Sequence, residues 1–173
     1  MIVILIGYMA SGKSTLGKYL AKKLHYNFID LDLYIEAKEE MPIKNIFEKK
    51  GEIYFRKIES LSLIEILKNK NNIVLSLGGG TPCYSDNMDV ILKSKHVKSV
   101  YLKASIPSLV NRLKNETSKR PLISHLETEE QIIEFIGKHL FERTPFYNQA
   151  HLTIYTDDKP KKDIIEELLS VLI

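Results

Sequence analysis

The sequence predicts an α/β domain with a parallel sheet, and two observations support this prediction. Short apolar runs, several rich in β-branched residues, alternate with longer segments in which apolar residues recur every three or four positions. Strands that alternate with helices in this way favour a parallel sheet covered by helices. The chain has 173 residues and contains no repeat, low-complexity tract or long linker, so a single domain is expected.

The predicted strands are short and mostly apolar, as in strands that helices cover on both faces. The first is the run Ile2-Val3-Ile4-Leu5-Ile6, which ends at Gly7. Five such segments are expected: residues 2–6, 28–29, 73–77, 97–102 and 152–155.

The predicted helices each show an apolar face. In the first helix, residues 13–24, this face is formed by Leu16, Leu20 and Leu24. Further helices are expected over residues 32–39, 43–50, 53–67, 90–92, 105–113, 128–147 and 160–172, with a break at Lys50-Gly51 and a polar loop over 114–120. Within 53–67, the residues expected to point inward are Ile58, Leu61, Leu63, Ile64 and Leu67.

The composition indicates a globular cytoplasmic protein. Hydrophobic residues make up 44% and charged residues 27%, and the net charge of +3 is too small to indicate nucleic-acid binding. Cys83 is the only cysteine, so no disulfide within the chain is expected, which fits a reducing compartment. The opening apolar run is too short to span a bilayer and lacks a basic leader. We therefore expect neither a membrane nor a nucleic-acid partner.

A phosphate-binding motif lies between the first predicted strand and the first predicted helix. The run Gly7-Tyr8-Met9-Ala10-Ser11-Gly12-Lys13-Ser14 matches the pattern Gly-x-x-x-x-Gly-Lys-Ser/Thr in the required context. Backbone N–H groups of such a loop and of the helix N-terminus bind phosphate oxygens. Lys13 would contact the β- and γ-phosphates, and the Ser14 hydroxyl would bind Mg²⁺. This context disfavours a coincidental glycine-rich turn.

Among nucleotide-binding classes, a small-molecule kinase fits best. A GTPase would carry an Asp-x-x-Gly switch and an Asn-Lys-x-Asp guanine reader, and the sequence has neither. Residues 75–80 faintly resemble an ABC-type signature but follow a strand, and the chain is short for that class. A kinase also needs a carboxylate for the acceptor hydroxyl and a cationic lid.

The pair Asp30 and Asp32 supplies candidate carboxylates at the end of the second predicted strand. Ligands bind at this edge of an open parallel sheet. One carboxylate could serve the water shell of the metal, and the other could accept a hydroxyl proton. The alternative, that Asp32 only caps the following helix, is about equally favoured by the spacing.

Three arginines are candidate anion-binding residues, and each has a purely structural alternative. Arg56 could form a bidentate contact with an anion, or only pair with Glu52 or Glu59 on its helix. Arg120 could close over ATP from the polar loop, or simply lie on the surface. Arg143 could be a second anion clamp, or only complement the helix dipole in a last turn.

Taken together, these motifs resemble the shikimate kinase family from Gly7 to about Tyr147. The order and spacing of the motifs make the resemblance specific. The matching pieces are Gly7 to Thr15, Asp30-Leu31-Asp32 with Glu36, Gly51-Glu52 with Phe55-Arg56-Lys57-Ile58-Glu59, Leu75-Ser76-Leu77-Gly78-Gly79-Gly80, Arg120-Pro121-Leu122, and Arg143 with Tyr147.

The resemblance implies a fold and a reaction. The family fold is a three-layer P-loop fold: a five-stranded parallel sheet with helices on both faces. Here its substrate-binding helical segment would span about 32–60 and its lid about 112–124. The reaction would be ATP + shikimate giving ADP + 3-phosphoshikimate, a step towards chorismate and the aromatic amino acids. Members of the family are usually cytoplasmic monomers.

The resemblance also implies residue roles. Catalysis would fall to Lys13, Asp32 and Arg120. Shikimate would contact Asp32, Arg56, Gly79 and Arg143. ATP would contact Ala10, Ser11, Gly12, Lys13, Ser14, Thr15 and Arg120, with Arg112 near the adenine. One Mg²⁺ would bind Ser14, with Asp30 as an outer-shell helper.

One position departs from the family pattern, and two rival functions remain. Many members have glycine where this chain has Ala10, and alanine would be strained there if φ were positive. The nearest rival is another small kinase, acting on gluconate or a nucleotide. A rival of another class is a nucleotide-binding regulator without turnover, which would have no need of Asp32.

Overall fold

Five β-strands and seven α-helices alternate in the computed structural model, which describes residues 1–173 except for the side chain of Lys119. The strands are β1 (Ile2–Ile6), β2 (Asn27–Asp30), β3 (Ile73–Ser76), β4 (Val97–Lys103) and β5 (Leu152–Tyr155). The helices are α1 (Lys13–Leu24), α2 (Leu31–Glu39), α3 (Ile43–Asn69), α4 (Asn87–Lys93), α5 (Ile106–Leu113), α6 (Glu129–Tyr147) and α7 (Lys161–Leu172). Short 3-10 turns cover Thr81–Cys83 and, within the stretch expected to be a loop, Thr117–Lys119.

The sheet has five strands and is parallel throughout, as predicted, and its strand order is β2-β3-β1-β4-β5. In the register, Leu5 of β1 lies beside Ser76 of β3, and Ile6 lies beside Tyr101 of β4. Because β3 and β4 flank β1 on opposite sides, the strand order reverses at β1. The loops at the carboxyl ends of β1 and β3 therefore border a crevice, which is where ligands bind in such sheets.

Side chains of β1 alternate between two hydrophobic cores, one on each face of the sheet. Ile4 and its neighbours on that face pack with α2 to α6. Val3 and Leu5 pack on the opposite face with α1 and α7. The predicted three-layer arrangement is confirmed, and the burial of both faces accounts for the wholly apolar sequence of β1.

Helix α3 contains the break that the sequence predicts, but one of its inward positions was predicted wrongly. Gly51 has φ 84° and ψ 168°, which are not helical values, so two helical segments meet there at a kink. Leu63 and Ile66 are buried, whereas Leu61 is 54% exposed. Leu61 lies about 200° around the helix from Leu63, since each residue advances by about 100°, and therefore points to solvent.

No described helix of the chain combines the length and the apolar character needed to cross a bilayer.

The loop between β1 and α1 has positive φ angles at three positions: Gly7, Ala10 and Gly12. Gly12 has φ 98° and Ala10 has φ 62°, so the alanine does not keep the negative φ that would leave it unstrained. For a residue with a Cβ, left-handed backbone costs about 1–2 kcal/mol. The loop therefore holds Ala10 in a conformation that glycine would adopt more readily.

We expect Ala10→Gly to raise the free energy of unfolding by about 0.5–1 kcal/mol, because relief of the strain exceeds the added entropy of the unfolded chain. Urea denaturation of the full chain measures this change.

The matched control is Ala37→Gly, at an exposed position of the right-handed helix α2. There glycine should lower stability by about 0.5–1 kcal/mol. Equal losses in the two variants would contradict strain at Ala10.

Candidate active site

Loops from three neighbouring strands meet at the carboxyl edge of the sheet and border a cavity of about 660 Å³. The loop after β1, the start of α2 after β2, and the glycines after β3 all contribute to its wall. The predicted site residues that border this cavity are Ala10, Ser11, Gly12, Lys13, Ser14, Thr15, Asp30, Asp32, Gly79, Arg112 and Arg120. The topology thus brings together residues that are as much as 110 positions apart in the chain, from Ala10 to Arg120.

Lys13 lies at the first turn of α1 and is held by the loop that precedes it. Its Nζ donates to the carbonyl oxygens of Gly7 at 2.7 Å and Tyr8 at 2.9 Å. Burial lowers the pKa of the Lys13 ammonium to about 8, while Asp32 and Asp30 act in the opposite direction. The group therefore remains mostly charged at neutral pH, beside the N-terminus of a helix that favours anions.

Asp30 joins the phosphate loop to the second helix. Its Oδ2 accepts a hydrogen bond from the Ser14 hydroxyl at 3.1 Å. Its Oδ1 accepts from the backbone N–H of Asp32 at 3.0 Å and of Leu33 at 3.3 Å, so Asp30 is the N-cap of α2. The alternative that Asp32 caps this helix is wrong, and its carboxylate borders the cavity instead.

Asp32 has the most perturbed carboxyl group of the site. Burial, followed by the nearby charges of Asp30 and Glu59, raises its pKa to about 6, and Lys13 opposes this shift. A Cβ added at Gly78 would lie 3.1 Å from Asp32 Oδ1, so the carboxylate approaches the glycine loop closely. A carboxylate with a pKa near the working pH is suited to accept a proton.

Arg56 is anchored by a buried acid. Its Nη1 donates to Glu59 Oε1 at 2.9 Å, and the Glu59 side chain is only 1% exposed. Glu59 Oε2 in turn accepts from the Thr81 hydroxyl at 2.7 Å. The Glu52 carboxylate lies farther away, 3.6 Å from Arg56 Nε. The predicted pairing with Glu59 is therefore present, and the guanidinium lies beside Gly80, where an added Cβ would be 2.9 Å from Nη2.

Arg143 is positioned by α6 against the same glycine loop. A Cβ at Gly79 would lie 3.0 Å from Arg143 Nη1. The guanidinium carbon lies 5.7 Å from the centroid of the Tyr8 ring in the phosphate loop. The last turn of α6 has no basic residue, so the explanation of Arg143 as a last-turn partner of the helix dipole is wrong. The buried Tyr147 donates its hydroxyl to the Gly79 carbonyl at 2.5 Å.

Arg56 and Arg143, the two arginines predicted to bind the acceptor, lie beside the main cavity and do not form part of its wall. Arg56 borders a second cavity of about 630 Å³. Both guanidiniums approach consecutive glycines of the loop after β3. This loop therefore lies close to two positive charges.

The two arginines that border the main cavity are already paired. Arg120 donates from Nε and Nη2 to Glu116 Oε2, at 2.9 Å each. Arg112 Nη1 donates to the Ala10 carbonyl at 2.9 Å. Arg120 is partly exposed, yet it borders the cavity, so it is not a surface arginine remote from the site.

Sequence reasoning missed several residues of this site. Glu116 lies four residues before Arg120, and that spacing on a helical turn was an available signal. Thr81 follows the glycines in a short 3-10 turn and Tyr84 comes directly after that turn, so no periodicity marks either residue. Thr156 and Lys159 border the cavity after β5, at the same edge of the sheet as the other loops.

Comparison with known proteins agrees with this geometry. The family model described as shikimate kinase matches residues 9–173. A shikimate kinase from Flavobacterium johnsoniae is 45% identical over 170 residues, covering 98% of each chain.

Solved structures give the same result. The shikimate kinase of Bacteroides thetaiotaomicron is 34% identical with a TM-score of 0.91, covering 99% of this chain and 98% of that one. The shikimate kinase of Acinetobacter baumannii in complex with shikimate is 32% identical with a TM-score of 0.84, covering 99% and 92%. The match extends over the phosphate loop, the aspartates, the glycine loop and α6, and this chain belongs to the shikimate kinase family.

Proposed function

We propose that this site transfers the γ-phosphoryl group of ATP to the 3-hydroxyl of shikimate through the residues described above. Family membership gives the reaction class, an ATP-dependent kinase that forms 3-phosphoshikimate towards chorismate and the aromatic amino acids. The observation that carries the residue assignment is the position of Asp32, which borders the same cavity as Lys13. Acceptor hydroxyl and nucleotide phosphate can therefore meet between them.

At the nucleotide end, Lys13 and Arg120 stabilise the transferring group. Charge spreads over the oxygens of the γ-phosphoryl group during transfer, and fixed cations lower the energy of that state. Arg120 is paired with Glu116 in a partly exposed ion pair, and such pairs contribute only about 0–1 kcal/mol. A phosphate can therefore replace Glu116 as its partner at little cost.

The oxygens of Ser14 and Asp30 fit a magnesium ion bound together with ATP. Mg²⁺ prefers hard oxygen donors, and these two groups lie 3.1 Å apart at the phosphate loop. In this proposal the Ser14 hydroxyl would ligate the ion and Asp30 would act from its outer shell. When bound, the ion would supply charge neutralisation to the phosphates.

At the acceptor end, the pattern of charge suits a ring that is both anionic and hydroxylated. Arg56 and Arg143 hold the carboxylate of shikimate, because a guanidinium forms paired hydrogen bonds with such a group. The Gly79 backbone completes the site, and a Cβ there would lie 3.0 Å from Arg143 Nη1, so a side chain would require that guanidinium to shift. Asp32 orients the 3-hydroxyl and accepts its proton.

The segment and lid boundaries remain part of this proposal. Residues 32–60 contain Asp32 and Arg56, and residues 112–124 contain Arg112 and Arg120, so each segment contributes to one ligand. The proposal also keeps a single kinase domain over 1–173, a monomeric state, a cytoplasmic location, and no nucleic-acid or membrane partner.

The acceptor is tested by a coupled ADP-release assay with ATP·Mg²⁺ and shikimate, gluconate or a panel of nucleoside monophosphates. We expect turnover with shikimate alone, after subtraction of ADP released without acceptor, and a product heavier by one phosphoryl group. Turnover with gluconate instead would reassign Arg56 and Arg143 to another acceptor. Failure with every acceptor would favour a regulator without turnover.

Asp32→Asn should lower kcat by about 10²- to 10⁴-fold, because it removes the proton acceptor while retaining the shape of the side chain. In the wild type, kcat/KM for shikimate should fall about tenfold per pH unit below about 6. The raised pKa of Asp32 means that the carboxyl group is protonated there and accepts no proton.

ATP affinity, measured by calorimetry, should change little in Asp32→Asn. The matched control is Asp89→Asn, which alters an exposed carboxylate on α4 and should keep normal turnover. Near-normal turnover in Asp32→Asn would refute the role of Asp32.

A further inference from the structure

We propose that Tyr84 is a positioning residue for the acceptor, whose ring holds the Arg56 guanidinium in the orientation that receives a carboxylate. This inference rests on the proposed contact between Arg56 and the carboxylate of shikimate. It adds a specificity residue that follows the glycine loop and touches neither substrate.

The geometry of the contact is that of a stacked cation and aromatic ring. Arg56 Cζ lies 3.7 Å from the centroid of the Tyr84 ring. The ring of Phe55, on the same helix as Arg56, is farther away at 5.2 Å. A guanidinium stacks well on an aromatic face and is attracted by its negative potential. Tyr84 therefore covers one face of the guanidinium at contact distance.

Hydrogen bonds alone do not fix Arg56. Glu59 accepts a hydrogen bond from Arg56 Nη1, but the buried Nε has no hydrogen-bond partner among the described residues. One bond at one nitrogen leaves the planar group free to pivot about that bond. The stacked ring is the contact that restricts this rotation.

A competing acid makes that restriction matter. Glu52 lies one turn before Arg56 on α3, with a half-exposed carboxylate 3.6 Å from Nε. If the guanidinium turned towards Glu52, its terminal nitrogens would leave the glycine loop. Arginine has considerable rotamer freedom to lose, so an orientation fixed in advance lowers the entropic cost of binding an anion.

The position of Tyr84 in the chain also links its ring to the acceptor site. Tyr84 directly follows the 3-10 turn Thr81–Cys83, which continues from the three glycines. The Thr81 hydroxyl in this turn holds Glu59, and Glu59 holds Arg56. The same short segment therefore fixes the anchor of Arg56 and one face of its guanidinium.

The experiment compares two acceptors in Tyr84→Leu: shikimate, and an analogue in which a primary alcohol replaces the carboxylate. We expect kcat/KM for shikimate to fall by about 5- to 10-fold, through KM and with kcat little changed, as expected for loss of a cation–π contact. The neutral analogue should react as it does with the wild type. Tyr84→Phe keeps the aromatic face and should retain the wild-type KM.

Two further variants separate the possible causes. Tyr19→Leu removes an exposed tyrosine on α1 and should have no effect. Arg56→Gln should lower the preference for shikimate over the neutral analogue by more than Tyr84→Leu does, and Arg143 accounts for the preference that remains. If Arg56→Gln lowers this preference while Tyr84→Leu leaves it unchanged, the inference is overturned and the role of Arg56 stands. If Arg56→Gln keeps the full preference, both are overturned.

An equal loss for both acceptors in Tyr84→Leu would mean a general structural defect and would also overturn the inference. Thermal denaturation monitors folding. If the leucine variant unfolds early, Tyr84→Met, whose side chain is longer but also non-aromatic, takes its place with the same expected KM change.

Discussion

The site depends on how the two oxygens of the Asp30 carboxylate are used. One oxygen accepts two N–H groups at the start of α2, and the other accepts the Ser14 hydroxyl in the phosphate loop. Since α2 is capped by Asp30, the carboxylate of Asp32 has no structural duty and borders the cavity. The charge of Asp30 also adds to the burial that raises the pKa of Asp32. One side chain thus holds the Ser14 hydroxyl that is proposed to bind the metal, begins the helix and helps to tune the proposed proton acceptor.

The acceptor side is organised by a second constraint, the close approach of two guanidiniums to a loop without side chains. A Cβ at Gly79 or Gly80 would lie within about 3 Å of Arg143 or Arg56 nitrogens, closer than side chains normally pack. The buried Glu59 supplies the countercharge for Arg56, because a buried cation without a partner would be strongly unfavourable. The Tyr147 hydroxyl fixes the carbonyl of Gly79. The two guanidiniums and the backbone of the glycine loop are therefore held in position by groups that need not touch the substrate.

The parts of this architecture that are local in sequence could be predicted, and the parts that depend on contacts between distant segments could not. The alternation of strands and helices and the phosphate motif are local signals, and both predictions were confirmed. The strand order depends on contacts between distant segments and follows from no single one of them. Local spacing could not decide whether Asp32 caps the helix or serves the site, because the sequence pattern does not fix the exact residue at which a helix begins. The left-handed backbone of Ala10 was also open, since a motif specifies residue types and not dihedral angles. Leu61 was misplaced because an apolar residue near a helical stripe was assumed to belong to it.

The distribution of charge around the cavity explains why a chain with a net charge of only +3 can bind a highly charged nucleotide. Lys13, Arg112 and Arg120 border the same cavity, while each has an oxygen partner within the protein at 2.9 Å or less. The cations are thus held in place before a ligand arrives, which lowers the entropic cost of binding. The partners of Lys13 and Arg112 are neutral carbonyls, which leave the full positive charge to act on a phosphate. Of these three cations, Arg120 is the one paired with a carboxylate. Its charge becomes fully available to a phosphate when that phosphate replaces Glu116 as its partner.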